Sequence, residues 1–178
     1  MRIAFYAPMK PPDHPLPSGD RSIARGLIRA FQQRGHAVEL MSRLQSRYVW
    51  LRPITFLRYY CEIHRVFRKA GVFRPELWCS YHTYYKAPDL LGPVITRKLS
   101  IPYFLVEGSH SPGREKSLLT RPGFLLNQRA LLTATHVVAN KEADLPGLRA
   151  ILPSWKISYI PQGIDPLIFR RMPAEGER

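Results

Sequence analysis

Short apolar runs of strand length alternate along this chain with longer segments whose apolar residues recur at helical spacing. The runs are residues 3–7, 38–41, 77–80, 103–106, 136–139 and 157–160. Strands that alternate with helical segments are typical of βαβ units, in which helices cover both faces of a parallel sheet. The alternation therefore predicts an α/β fold with three layers around a mostly parallel sheet.

The segments between these runs predict helices and two long loops. The helical segments are residues 21–34, 54–70, 87–99, 124–133 and 141–152, the last one around Pro146. Asp20 is a suitable N-terminal cap for the first of them and Gly35 a suitable stop. Residues 8–18 contain five prolines, and residues 108–123 are polar with glycines and prolines. We expect both stretches to be loops.

The length and composition fit one domain with a real core. The 178 residues are 45% hydrophobic, and 27 Lys and Arg against 13 Asp and Glu give a net charge of +14. A disordered basic tail lacks the apolar residues that a core requires, so this composition excludes one as the whole molecule. The charge surplus needs a separate explanation.

The two cysteines do not predict a metal site or a disulfide. Cys61 and Cys79 both lie in apolar stretches, without the Cys or His spacing of a zinc site. A reducing, cytoplasmic setting is the simplest interpretation. The apolar run at the amino end is too short for a signal peptide, and no stretch reaches the roughly 18 apolar residues of a spanning helix. Any contact with a membrane is therefore expected to be peripheral, on its inner face.

Residues 43–74 combine basic and aromatic residues. They contain eight Lys and Arg, one Glu and seven aromatic residues. In the predicted helix 54–70, one stripe is Leu57, Tyr60, Cys61, His64 and Phe67, and another is Arg58, Glu62, Arg65 and Lys69. Cations with Trp and Tyr are typical of surfaces that contact anionic headgroups. The residues of this predicted membrane patch are Arg47, Trp50, Arg58, Arg65, Arg68 and Lys69.

Two other interpretations of this segment remain open. An amphipathic helix that packs on the sheet with a solvated basic face would have the same pattern. Single-stranded nucleic acid also suits cations mixed with aromatic rings. However, the chain has no helix-turn-helix, zinc, RNA-recognition or OB pattern, so nucleic acid is the less favoured partner.

Four motifs occur in order along the chain: RIAFYAP with its proline-rich loop and PSGD, RGH followed by AVEL, the strand HVVAN, and ISYIPQGID. Together they resemble the N-terminal domain of GT-B glycosyltransferases, specifically the family-4-like retaining enzymes. The resemblance implies a Rossmann-like domain, one half of a GT-B fold, that binds the acceptor. We expect this domain at residues 1–165, and a hinge or tail toward a second, donor-binding domain at residues 166–178.

The resemblance also implies an activity for the complete enzyme. It would transfer a sugar, with retention and without a metal, from a nucleotide-sugar to a glycan or lipid-linked acceptor in surface polysaccharide or glycolipid synthesis. The nucleotide-sugar is the donor substrate, and no further cofactor is implied. The donor-binding partner domain lies outside this sequence, so we expect the chain alone to be inactive and its uncovered apolar face to favour self-association.

The junction of the first loop and first helix is a candidate phosphate-binding loop. Its residues are Ser18, Gly19, Asp20 and Arg21. A helix N-terminus offers free N–H groups and partial positive charge, and the family places a glycine-rich turn here near the donor diphosphate. Asp20 stands where the family has a second glycine. The alternative is a plain capped loop with no ligand.

His82 follows a predicted strand, where open α/β sheets place ligand-binding groups. A histidine there can polarise or deprotonate an acceptor hydroxyl near neutral pH. Tyr81, Tyr84 and Tyr85 surround it and suggest an acceptor wall on which a sugar stacks. The alternative is a hydrogen-bonded loop histidine among tyrosines that pack in the core.

Glu107 and His110 follow the next strand, in the sequence VEGSH. Family-4-like enzymes carry a functional histidine after this strand, and a carboxylate at a strand end can bind an acceptor hydroxyl or assist proton transfer. The alternative for Glu107 is a surface ion pair with Arg114 or Lys116. A different class of function also remains open, namely a non-catalytic basic module that binds anionic membrane, glycan or nucleic acid.

Overall fold

The computed structural model describes residues 1–163 and contains one parallel sheet. Its strands are Arg2–Tyr6 (β1), Ala37–Ser42 (β2), Leu77–Thr83 (β3), Tyr103–Gly108 (β4), His136–Ala139 (β5) and Ile157–Tyr159 (β6). The spatial order is β2-β1-β3-β4-β5-β6, and every neighbouring pair is parallel. The predicted α/β fold is confirmed, and the described sheet is wholly parallel.

Helices connect the strands, as the alternation predicted. They are Gly19–Gln33 (α1), Pro53–Phe73 (α2), Gly92–Leu99 (α3), Arg121–Thr133 (α4) and Leu145–Arg149 (α5). Short 3₁₀ turns occur at Val49–Leu51, Pro112–Lys116, Glu142–Asp144 and Ser154–Lys156. The predicted hinge, residues 166–178, lies outside the described residues.

Two buried clusters divide the core by sheet face. On one face, Ile3, Phe5 and Tyr81 pack with side chains of α1, including Ala24. The other face carries a larger cluster around Trp78. In this cluster the strands meet Val66 of α2, Ile95 of α3, Leu131 of α4 and Leu148 of α5. The sheet therefore lies between two helical layers, which confirms the predicted three-layer arrangement.

Four helix starts differ from the prediction by two residues or more, namely those of α1, α3, α5 and α4, which begins at Arg121 within the predicted loop 108–123. Ser18, rather than Asp20, caps α1, because the Ser18 hydroxyl accepts the Arg21 N–H at 3.3 Å. The predicted helix 87–99 begins only at Gly92, because the buried Asp89 carboxylate accepts the N–H groups of Leu91 and Gly92 and so caps it. Pro146 lies in the first turn of α5, where a missing N–H costs no hydrogen bond.

The buried face of α2 also differs from the predicted stripes. Leu57, Tyr60 and Phe67 are exposed, and the core contacts are instead made by Tyr59, Ile63, Val66 and Ala70. The basic stripe explains this rotation, because two of its side chains satisfy carbonyl groups of the edge strand β2. Arg65 donates to the Met41 carbonyl at 3.2 Å, and Lys69 donates to the Leu40 carbonyl at 2.6 Å. Cations along an edge strand also discourage pairing with other chains.

Candidate functional site

The carboxyl ends of β1 and β3 form the topological switch point of the sheet. The chain leaves β1 toward β2 on one side and continues from β3 toward β4 on the other. In open parallel sheets, loops diverge at such a point and leave a crevice in which ligands bind. The loop after β1 leads to the N-terminus of α1, and His82 stands at the end of β3. The residues at this crevice are therefore the candidates for ligand binding.

His82 and Asp20 meet at this crevice. His82 Nδ1 lies 2.9 Å from Asp20 Oδ1, and both side chains are partly buried. A carboxylate can only accept, so the hydrogen bond places the imidazole proton on Nδ1. His82 Nε2 makes no hydrogen bond to any described residue, and in the neutral ring it carries a free lone pair. Asp20 therefore orients a histidine whose outer nitrogen is available as a hydrogen-bond acceptor.

Glu107 ends the neighbouring strand and is buried. Its Oε1 accepts from Lys141 Nζ at 3.0 Å, and its Oε2 accepts from Gln162 Nε2 at 3.2 Å. The expected alternative, a surface pair with Arg114 or Lys116, is wrong because the carboxylate turns inward toward the loop after β5. The hydrogen bond that Lys141 donates to Glu107 raises the pKa of Lys141, whose side chain stays 61% exposed.

The two strand ends share an uncommon backbone conformation. His82 has φ of 57° and Glu107 has φ of 59°, which is the left-handed region. A non-glycine residue held there costs on the order of 1–3 kcal/mol, and such residues cluster at active sites and ligand clamps. The fold maintains this strain at two adjacent strand ends that both carry ionisable side chains.

The predicted acceptor wall divides into a buried and an accessible part. Tyr81 is wrong as a stacking surface, because its ring is buried in the cluster under α1. Burial raises the pKa of the Tyr81 hydroxyl, and the nearby Glu107 charge adds to that rise. Tyr84 and Tyr85 remain partly exposed, and the Tyr84 ring stacks on His82 with centroids 5.1 Å apart. The accessible wall is therefore continuous with His82.

His110 is also buried, in the loop that follows Glu107. Its Nδ1 donates to the Gly147 carbonyl at 3.1 Å, and its buried Nε2 has no partner among the described residues. Burial lowers the pKa of His110, although the hydrogen bond to Gly147 opposes this effect. A Cβ at Gly147 would lie 2.0 Å from the His110 carbonyl oxygen, so α5 approaches as closely as glycine permits. The lowered pKa favours the neutral form of His110, and the Nε2 atom has no partner among the described residues.

The predicted phosphate loop stands at the N-terminus of α1. Ser18 caps the helix, and the Asp20 carboxylate is hydrogen-bonded to His82. A Cβ at Gly19 would meet no atom within 4 Å, so this part of the loop is open. Arg21 Nε is buried and has no partner among the described residues. The loop therefore holds a buried guanidinium N–H without a partner next to the positive end of a helix. No group of His, Cys, Asp or Glu within residues 1–163 could hold a metal ion.

The sequence alone did not point to Lys141 or Gln162. Both follow strands at the same sheet edge, Lys141 after β5 and Gln162 after β6. Their positions just after strands could have suggested a functional role. That both donate to Glu107 is shown only by the tertiary structure. Both side chains are exposed, and they meet at the buried Glu107 carboxylate.

The residues of the predicted membrane patch do not all face solvent as free side chains, because some of them bind other parts of the chain. Arg65 and Lys69 bind β2 carbonyls, so they are not free cations, whereas Arg58 and Arg68 are exposed. Trp50 Nε1 donates to the Leu119 carbonyl at 3.0 Å and joins the start of α2 to the turn before α4. Large apolar side chains are exposed on both sides of this joint, namely Leu51, Ile54, Leu118 and Leu119. Within residues 1–163, no helix has the length and apolar character to cross a bilayer.

Solved structures with the same fold bind UDP. Anabaena HepE in complex with UDP is 16% identical, with a TM-score of 0.56 over 98% of this chain and 48% of its own. Methanocaldococcus jannaschii UDP-GlcNAc 2-epimerase, in complex with UDP-GlcNAc and UDP, is 12% identical, with a TM-score of 0.57 over 89% of this chain and 46% of its own. S. aureus MnaA, solved with UDP, is 11% identical, with a TM-score of 0.60 over 88% of this chain and 43% of its own.

At these identities, the likeness establishes the fold alone: a Rossmann-like domain that matches one domain of GT-B-type proteins. The chain spans about half the length of the structures that it matches. No family model and no curated protein sequence matches the chain.

Proposed function

We propose that this chain is the acceptor-binding half of a family-4-like glycosyltransferase. The complete enzyme would transfer a sugar from a nucleotide-sugar to a glycan or lipid-linked acceptor. The observation that carries the proposal is the pair of strained strand ends, with His82 on β3 at the switch point of the sheet and Glu107 on the neighbouring strand β4. Because a Rossmann-like fold hosts many chemistries, this argument depends on the site rather than on the fold.

His82 is the group expected to meet the acceptor hydroxyl. Its free Nε2 can accept the hydroxyl hydrogen bond, and Asp20 holds the ring by Nδ1. In the transfer, the acceptor oxygen bonds to the anomeric carbon while the bond from that carbon to the diphosphate breaks. With the retention that the resemblance implies, the hydroxyl proton passes to the leaving diphosphate, and His82 orients the oxygen that attacks.

The cations at the crevice suit the donor diphosphate. Arg21 has an unused buried donor at the start of α1, and Glu107 holds the exposed Lys141 ammonium over the adjacent strand end. Positive charge and free backbone N–H groups favour phosphate oxygens. A second domain, bound as a fused or separate partner, would supply the remaining donor contacts. We expect the 178 residues alone not to turn over a nucleotide-sugar, because holding donor and acceptor together is most of what such a cleft contributes.

A glycan array probed with the purified chain tests the acceptor role. We expect binding to specific glycans, weakened about threefold to tenfold by His82→Gln or Tyr84→Ala, since each change removes one hydrogen bond or one stacking contact. His64→Gln and Tyr60→Ala are matched controls, because both residues are exposed on α2, away from the crevice. The proposal is wrong if no glycan binds, or if the crevice and control variants bind alike.

Peripheral contact with an anionic membrane is the second part of the proposal. It is favoured by the exposed leucines and Ile54 around the Trp50 joint, which lie among the cations Arg52, Arg58 and Arg121. Apolar side chains ringed by cations bind the interface of an anionic bilayer. Such contact would place the acceptor domain beside a lipid-linked substrate in the cytoplasm.

A further inference from the structure

Four loops at the carboxyl edge of the sheet converge beside His82. The Tyr48 N–H donates to the Lys86 carbonyl at 2.7 Å, which ties the loop after β2 to the loop after β3. The Tyr84 hydroxyl contacts Met9 Sδ at 3.7 Å, which brings in the loop after β1. The loop after β4 contributes Arg114, whose guanidinium lies 4.9 Å from the centre of the Tyr85 ring. These contacts build one surface from segments distant in sequence.

This surface combines three cations with three tyrosines. We call it the cation–tyrosine cluster, and its members are Arg47, Tyr48, Tyr84, Tyr85, Lys86 and Arg114. Lys86 lies 5.6 Å from the Tyr85 ring centre, and Arg47 lies 5.9 Å from the Tyr48 ring centre. Cations over ring faces are held without being neutralised. Their charged groups therefore remain available to a ligand.

The carboxylates near the cluster are already engaged. Asp13 pairs with Arg43, Asp20 with His82 and Glu107 with Lys141, while Asp89 is buried at the start of α3. None of the three cluster cations pairs with a carboxylate anywhere in residues 1–163.

The exposed Glu115, next to Arg114 in sequence, leaves a surplus of two positive charges. Like charges held together without counter-ions destabilise a surface, unless a ligand supplies the opposite charge.

We propose that the cation–tyrosine cluster binds an anionic group on the acceptor, so that the acceptor is a sugar that carries a phosphate or a carboxylate. A neutral sugar needs only ring faces and uncharged hydrogen-bond partners, whereas Arg and Lys recognise anionic oxygens by charge-assisted hydrogen bonds. The stacked pair of His82 and Tyr84 makes the cluster continuous with the nitrogen that would meet the reacting hydroxyl. This inference rests on the proposed acceptor-binding function and narrows it to a substrate class.

Chemical-shift titration of the 178-residue chain with glucose, glucose 1-phosphate, glucuronate and inorganic phosphate tests the proposal. We expect both charged sugars to bind at least about tenfold more tightly than glucose and to shift the amide signals of Tyr85, Lys86 and Arg114. Lys86→Gln and Arg114→Gln should each weaken that binding about threefold to tenfold. Lys98→Gln is the matched control, because Lys98 also lies 5.6 Å from a ring centre, that of Phe67, but on α3.

The outcomes separate this proposal from the proposed function. Equal affinity for glucose and glucose 1-phosphate would overturn the anionic subsite and leave sugar binding intact. Inorganic phosphate that binds as tightly as glucose 1-phosphate, with no shift at His82 or Tyr84, would support an anion site but contradict the acceptor role. If Lys86→Gln weakens binding to phosphatidylglycerol vesicles and leaves glucose 1-phosphate binding unchanged, the cluster serves a membrane surface and the proposal is wrong.

Discussion

At the scale of single residues, the functional side chains of the crevice are each oriented by a hydrogen bond to one charged neighbour. Asp20 fixes the proton of His82 on Nδ1, and Glu107 holds Lys141 in place. His82 and Glu107 were predicted from their strand-end positions, because the ends of parallel strands meet at one edge. The identity of the partners was not predictable, since Asp20 and Lys141 are far from them in sequence.

His110 gives a pH dependence of stability that can be measured. Its pKa is lowered in the folded chain by burial, so the unfolded chain takes up a proton near the ordinary histidine pKa of about 6.5 while the folded chain stays neutral. The free energy of unfolding should therefore decrease as pH falls below about 6.5, by at most about 1.4 kcal/mol per pH unit for one proton. Above that pH, this contribution is fully present.

Urea unfolding of the wild type and of His110→Gln between pH 5 and 8 checks this expectation. The variant should lose stability less steeply on the acid side, because it has no group to protonate there. His64→Gln controls for removal of a histidine, since His64 is exposed on α2. Parallel pH profiles for wild type and His110→Gln would contradict the argument.

At the scale of elements, polar side chains decide where helices begin and how they rotate. The buried Asp89 carboxylate accepts from Tyr103 at 2.6 Å and also from Ser80, so the start of α3 is tied to β3 and β4. Burial raises the pKa of Asp89. The rotation of α2 follows from hydrogen bonds to the β2 edge, a contact that helical periodicity cannot predict because both faces of this helix carry apolar residues.

Two glycines in helices should respond in opposite directions to alanine. A Cβ at Gly26, within α1, meets nothing within 4 Å, so Gly26→Ala should stabilise the chain by about 0.5–1 kcal/mol through the unfolded state. A Cβ at Gly147 would clash with the His110 carbonyl at 2.0 Å, so Gly147→Ala should destabilise by about 1–3 kcal/mol. Urea midpoints of the two variants measure both effects, and a stabilised Gly147→Ala would refute the close contact between α5 and His110.

At the scale of the whole molecule, the cations behind the net charge of +14 lie in several different places and make different contacts. Arg65 and Lys69 protect the β2 edge, the cations of the cation–tyrosine cluster border the crevice, and others surround the exposed leucines. The prediction of one basic surface at residues 43–74 is therefore too simple, because Arg65 and Lys69 are bound to the β2 edge and the turn before α4 adds residues to the surface.

Vesicle co-sedimentation tests the membrane part of the proposal. We expect the chain to bind phosphatidylglycerol vesicles more strongly than phosphatidylcholine vesicles, because the patch is cationic. The double change Leu118→Ser with Leu119→Ser should reduce that binding about tenfold, because two exposed apolar side chains no longer enter the interface. Val72→Ser is the control, since Val72 is as exposed as Leu118. Val72 lies near the carboxyl end of α2, about 30 Å along the helix from Pro53, where the helix starts beside the patch. Equal losses in both variants would contradict the assigned surface.

The sequence by itself determined the parallel α/β architecture and the strand-end positions of His82, Glu107 and His110, because strand and helix periods are local and parallel strands end at one edge. Only the tertiary structure decided which residue caps α1, which face of α2 is buried, that Tyr81 is in the core, and that Lys141 and Gln162 join Glu107. These features depend on which polar groups meet after the chain has folded. Burial makes each unpaired polar group costly, so hydrogen-bond partners distant in sequence, rather than local periodicity, set the final geometry of the crevice.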